Sequence, residues 1–123
     1  MTGVNEIEAI GVHDFDHWIK HKKLTYKLKA MTQYYAAVKI IACGICFSDI
    51  HAASGAASRL YHPITVGHEI VGRIVAMSSA AGPKFIFGYR LGIGPQSDSC
   101  GQCSRCTDHT ENNCEKILTY GTP

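Results

Sequence analysis

At 123 residues the chain has room for one domain at most. A formal charge of +2 is too mild to argue for nucleic acid or an anionic membrane surface, and 46% hydrophobic content is ordinary for a globular core. No apolar run approaches the ~18 residues of a membrane span, and the opening Met1-Thr2-Gly3-Val4-Asn5-Glu6 lacks the plan of a secretory signal.

The first expected strand is Ile7 to Val12. His13 to Lys29 turns polar and basic, with Lys20, Lys22, Lys23, Lys27 and Lys29 around Trp18. It reads as a solvated loop or edge hairpin whose lysines discourage edge-to-edge pairing. His13, His17 and His21 fall four apart, which on a helix would align three imidazoles. Asp14, Phe15, Asp16 and Trp18 make a poor helix, however, and no capping pattern introduces one. Ala37 to Ala42 reads as a β-branched strand, ended by Cys43-Gly44-Ile45-Cys46. Ser48 to Ala53 suits one or two helical turns, with Ser48 or Asp49 able to cap the start. Ile64 to Val66 and Ile70 to Met77 read as strands broken at Gly67 and Gly72, and Arg90 to Gly94 as another. Short strands punctuated by glycine, with little helix, predict a mainly β barrel or sandwich. No Gly-x-Gly-x-x-Gly follows a strand, so the dinucleotide fingerprint is absent from these residues.

Cys100, Cys103, Cys106 and Cys114 follow the pattern Cys-x2-Cys-x2-Cys-x7-Cys. That spacing lets one short lobe, about residues 95–116, wrap four thiolates around a tetrahedral zinc ion with no open position. Such a closed site is structural and can contribute ~10 kcal/mol or more of folding free energy. The lobe lacks a basic surplus and stacking aromatics, which argues against a nucleic-acid ribbon. A disulfide framework is the competing reading of these cysteines; in a reducing cytoplasm, where this chain is expected, metal is favoured.

A second, incomplete set lies upstream, in Cys43-Gly44-Ile45-Cys46-Phe47-Ser48-Asp49-Ile50-His51 and Gly67-His68-Glu69. Either stretch alone is weak, since a lone Cys or His is usually a satisfied core residue. Together with the four-cysteine lobe they resemble the zinc-dependent medium-chain alcohol dehydrogenases, in the cinnamyl alcohol dehydrogenase-like branch. The resemblance runs from about Ile7 to Tyr120. It implies a GroES-like β-barrel fold, here partial, forming part of a catalytic domain. It also implies that Cys46 and His68 ligate a catalytic zinc, with Glu69 close behind the metal and able to tune or coordinate it. Asp49 would fix the His68 tautomer, and Ser48 and His51 would carry the alcohol proton outward. Cys43 matches no metal position and reads as a small core residue.

The likeness has limits. In that family the third catalytic ligand is a further cysteine, and NADP(H) sits on a separate Rossmann domain; residues 1–123 hold neither. Gly88-Tyr89-Arg90 stands where relatives have Gly-Asp-Arg, Gly55-Ala56-Ala57-Ser58 replaces a Gly-x-Trp-Gly loop beside the substrate, and the turn Ser78 to Pro83 has altered spacing. The expectation is an N-terminal dehydrogenase segment that binds zinc but does not turn over alcohols or aldehydes alone. The alternative is a non-catalytic zinc-binding module that associates with another protein, or with itself through uncovered strands.

Overall fold

The computed structural model describes residues 6–31, 33–56, 62–83 and 85–121. Strand β1 (Glu6–Gly11) pairs antiparallel with β2 (Lys22–Lys27), from Glu6 opposite Lys27 to Gly11 opposite Lys22. The polar stretch between them is a turn, and His17 folds back on Asp14 through its amide (2.8 Å) and its Nδ1 (2.9 Å). The structure therefore contains the edge hairpin and no helix that would align His13, His17 and His21. One side of the hairpin packs inward through Leu24, under the bare backbone of Gly11. Val12, fully buried, exchanges two backbone hydrogen bonds with Ile64. This single bridge is all that forms where a strand over Ile64 to Val66 was expected, because the chain must then turn to deliver Gly67 and His68.

Strand β3 (Ala36–Gly44) and strand β4 (Glu69–Met77) form a long antiparallel pair, and β5 (Arg90–Ile93) adds to the other side of β4. The β3–β4 register shifts twice, between Ala37 and Val38 and between Ile40 and Ala42, as β-bulges do. The anticipated break at Gly72 does not occur. A Cβ there would lie 2.2 Å from Val38 Cγ1 and 2.9 Å from the Lys39 carbonyl oxygen, so the missing side chain lets β3 approach closely. Ile74 carries the most buried side chain of this sheet. Beyond β4, the Gly88 and Tyr89 backbones bond to Ile74, and the Arg73 guanidinium reaches the Gly88 carbonyl. Tyr89 therefore stands exposed at a turn that hydrogen bonds of its backbone already fix.

Helix α1 (Phe47–Ser54) leaves the end of β3 with Cys46 as its N-cap. Gly55 closes it in the left-handed conformation, φ 72°, a position that favours glycine. Ala57 and Ser58 of the following loop lie outside the described residues. Strands β6 (Gln96–Asp98) and β7 (Leu118–Thr119) form a short antiparallel base beneath the cysteine lobe, which contains helix α2 (Ser104–Thr107) and one 3-10 turn (Glu111–Asn113). The fold is mainly β, and the described strands form three separate small sheets without closing into a barrel. Among the described residues the buried hydrophobic set is small: Val12, Leu24, Ala53, Ile74 and Cys114.

Candidate metal centres

The cysteine lobe brings its four sulfurs to one point. Cys103 is the N-cap of α2, Cys106 lies within it, Cys114 ends the 3-10 turn, and Cys100 approaches from the β6 side. Backbone turns set this geometry: the Cys106 and Thr107 amides bond the Cys103 carbonyl, and the Cys114 amide bonds that of Glu111. Arg105 braces the two halves, its guanidinium donating to the Asn113 carbonyl at 2.6 Å. The Sγ–Sγ separations are 3.8 Å for Cys100–Cys106, 3.6 Å for Cys103–Cys106 and 3.9 Å for Cys103–Cys114. A tetrahedron with zinc–sulfur bonds of about 2.3 Å has edges of about 3.8 Å. Disulfide sulfurs would lie at about 2.05 Å, so the spacing fits an ion at the centre and not cross-linked pairs. All four cysteines are free.

The protonation balance of the lobe is asymmetric. The Gln102 and Cys103 amides point at Cys100 and hold its thiol down at about 6. The Cys106 amide pulls Cys103 the same way, but hydrogen bonding with the Cys100 and Cys106 sulfurs outweighs it and raises Cys103 to about 11. Four sulfurs this close cannot all ionise without a cation between them.

The second centre forms where the ends of β3 and β4 meet α1. One ligand atom from each of Cys46, His68 and Glu69 falls within 4.8 Å of the others. Asp49, 7% exposed, holds the arrangement together. Its Oδ2 accepts the Cys46 amide at 3.0 Å, and its Oδ1 accepts the Gly67 amide and meets His68 Nδ1, both at 3.1 Å. A carboxylate only accepts, so Nδ1 carries the proton and Nε2 turns its lone pair toward Cys46. Ser48 joins the set directly, its hydroxyl donating to Cys46 Sγ at 3.2 Å and lying 3.3 Å from His68 Nε2. That hydroxyl is the main cause lowering the Cys46 thiol below its ordinary value. Burial works against a charged His68, yet bonding to Cys46 and the charge of Asp49 outweigh it, so the ring titrates above its usual range.

Several sequence-derived placements change. Neither Ser48 nor Asp49 is the N-cap; Cys46 is, with Asp49 three residues in and reaching back to its amide. His51 lies on the next turn of α1 with its ring edge-on to Phe47, centroids 4.8 Å apart. Cys43 is exposed rather than a core residue, its sulfur against the backbone of Gly67. The contacts of two glycines lie beyond the sequence reading. Gly67, at φ 118°, aims its amide at Asp49, and a Cβ on Gly44 would strike Glu69 Oε2 at 2.3 Å. The only signal for either is the glycine beside each ligand pair. Ser48 and His68 also border a cleft of about 290 Å³ whose far wall includes Pro95, Thr119 and Tyr120.

Residues 32–122 match the family described as the alcohol dehydrogenase GroES-like domain. Over its whole length the chain is 36% identical to NADP-dependent alcohol dehydrogenase 6 of Saccharomyces cerevisiae, covering 34% of that protein. It is 43% identical to cinnamyl alcohol dehydrogenase 8 of Arabidopsis thaliana, again over all of the chain and 34% of the relative. The chain thus spans about a third of the length of these curated relatives. Among solved structures, 93% of it superposes on 32% of a CAD from Helicobacter pylori complexed with NADP(H), with a TM-score of 0.85 and 28% identity.

Proposed function

This chain belongs to the alcohol dehydrogenase GroES-like domain family, and from that premise we propose that residues 1–123 are the zinc-binding, N-terminal catalytic-domain segment of an NADP(H)-dependent alcohol dehydrogenase or aldehyde reductase. The carrying observation is the meeting of Cys46, His68 and Glu69 at one point, with Asp49 locked behind His68. In the proposed assignment, Cys100, Cys103, Cys106 and Cys114 hold a structural zinc in a lobe of about residues 95–116. Cys46 and His68 hold a catalytic one, with Glu69 as a third donor in these residues. Zinc there supplies Lewis acidity toward an alcohol or carbonyl oxygen, and a nicotinamide exchanges the hydride. The Rossmann domain that binds the nicotinamide lies outside residues 1–123. The choice of NADP follows the NADP-dependent yeast relative and the Helicobacter protein solved with NADP(H).

The chain's own residues have distinct tasks in this reading. Asp49 keeps the His68 proton on Nδ1, leaving Nε2 free to bind. Ser48, within reach of both ligands, takes the proton from a small alcohol or gives it to an aldehyde oxygen. His51, one turn further along α1, passes that proton outward. A substrate would lie in the cleft between Ser48 and Tyr120. A cluster of reduced thiols goes with a cytoplasmic setting.

The 123-residue polypeptide with zinc, NADPH and an aromatic aldehyde is expected to show no turnover. Joined in frame to the remaining two thirds of the yeast relative, it is expected to oxidise NADPH with aldehyde, and Cys46→Ser is expected to abolish this. A folded, zinc-loaded chimera indifferent to Cys46→Ser would overturn the assignment.

A second observation favours association with a protein partner as well. Around the second centre Ile45 is 89% exposed and Phe47 68%, while Ile40 and Ile41 stand out from β3. Apolar residues this exposed at one end of a sheet mark a surface that binds protein.

A further inference from the structure

The four sulfurs of the lobe differ in the backbone around them. Amides in a turn can converge on an anion, and those two and three residues past a cysteine are placed to reach its sulfur. Cys100 receives both, from Gln102 and from Cys103, the latter at 3.4 Å. Cys103 receives the Cys106 amide, shared with the Cys103 carbonyl. Cys114 receives the Lys116 amide at 3.4 Å. Cys106 lies inside α2, where the corresponding amides are spent on closing the helix. That of Asp108 bonds the Ser104 carbonyl at 2.8 Å, and that of His109 bonds the Cys106 carbonyl at 3.4 Å. Among the described residues no amide bonds the Cys106 sulfur, whose contacts are the sulfurs of Cys103 and Cys100 at 3.6 and 3.8 Å.

In metal-free protein, the protons on the sulfurs decide which one reacts. With zinc bound all four are thiolates, and they then differ in how much of each sulfur's charge an amide takes up. A hydrogen-bonded thiolate is the weaker nucleophile, because the lone pair it must offer is already engaged. Exposure gives a different ranking. Cys114 is buried, the other three are partly exposed, and the cleft beside the lobe is lined by Cys100, Cys103 and Cys114. Hydrogen bonding and access therefore point to different sulfurs, which makes the order of reaction informative.

We propose that Cys106 is the modification site of the zinc-loaded lobe, the sulfur that hydrogen peroxide or another small electrophile reaches first, and that its reaction releases the metal. The Cys106 thiolate attacks the O–O bond of peroxide, giving a sulfenic acid and hydroxide. The Cys103 or Cys100 thiolate then displaces a second hydroxide from that sulfur and closes a disulfide. The two sulfurs lose two electrons and peroxide takes both. With two ligands withdrawn the site no longer holds zinc. The proposal rests on the structural-zinc assignment above and needs nothing from the second centre.

The test uses the zinc-loaded 123-residue chain with Cys43→Ser and Cys46→Ser, so that only the lobe's sulfurs react. Short pulses of iodoacetamide, and of hydrogen peroxide in a parallel series, are quenched and mapped by mass spectrometry while a chelating dye follows released zinc. Cys106 is expected to react about tenfold faster than any other cysteine of the lobe, the size of one hydrogen bond to a charged group. Zinc is expected to appear in step, and the first disulfide to contain Cys106. Stripping the zinc beforehand is expected to move the lead to Cys100. If the double variant does not fold, the same map of the native chain decides, since fragment spectra assign each cysteine separately. A lead by Cys100, Cys103 or Cys114 in the loaded lobe, or zinc that stays bound after Cys106 has reacted, would overturn the proposal and leave the zinc assignment standing. A chain that takes up no zinc would overturn both.

Discussion

Asp49 is the residue on which the second centre turns. One carboxylate accepts the Cys46 amide and the Gly67 amide and orients His68, so it couples the helix start to both ligand loops. Asp49→Ala leaves two amides without a partner and is expected to destabilise the fold by about 1–3 kcal/mol, read from urea unfolding. Asp49→Asn keeps an acceptor but frees the His68 tautomer, and zinc affinity at that centre is expected to fall about 10–100-fold in competition with a chelator dye. In the lobe, Cys100 at about 6 and Cys103 at about 11 diverge from a common starting value of 9.0. In metal-free, reduced protein at neutral pH, iodoacetamide is therefore expected to label Cys100 first and Cys103 last, as peptide mapping would show. The sign for stability differs between them. Cys100, lowered, favours the metal-free fold above pH 9, and that contribution is lost as pH falls through about 6; Cys103, raised, favours it below pH 9, and loses that as pH climbs through about 11. Cys46, His68 and Asp49 are legible as a group only through the family resemblance, which also supplies their roles. The two amides that fix Asp49 were not legible, because every residue has an amide and only folding selects which are aimed.

At the scale of elements, the strands were readable wherever β-branched residues ran between glycines, as in β3 and β4. Two misreadings share a cause. Composition alone reads Gly72 as a break and Ile64 to Val66 as a strand, because it reports local preference while cross-strand contact decides. Val38 needs the space over Gly72, and the chain after Ile64 is spent delivering His68. Gly72→Val is accordingly expected to lower stability by about 1–3 kcal/mol or more, seen in thermal melts, without removing zinc from the lobe. The N-cap of α1 was missed for a related reason. Ser48 has the right chemistry to cap, but its hydroxyl is turned to Cys46 and His68, and Asp49 holds the helix start from inside.

At the scale of the molecule, the small buried set and three separate sheets among the described residues leave much of the ordering to local devices. The lobe, its Cys114 buried and its base tied by the Tyr120 amide to the Pro95 carbonyl, crowds four sulfurs whose charge a central cation would neutralise. Mainly β character, a partial barrel and the lobe's place near the end are legible in the sequence; the division of the described strands into three separate sheets is not. The most direct measurement is metal content of purified, reduced protein by mass spectrometry. One tightly held zinc per chain is expected, retained in Cys46→Ser and lost in Cys103→Ser together with protection of residues 100–116. A folded chain without zinc, or one that keeps its zinc in Cys103→Ser, would contradict the account.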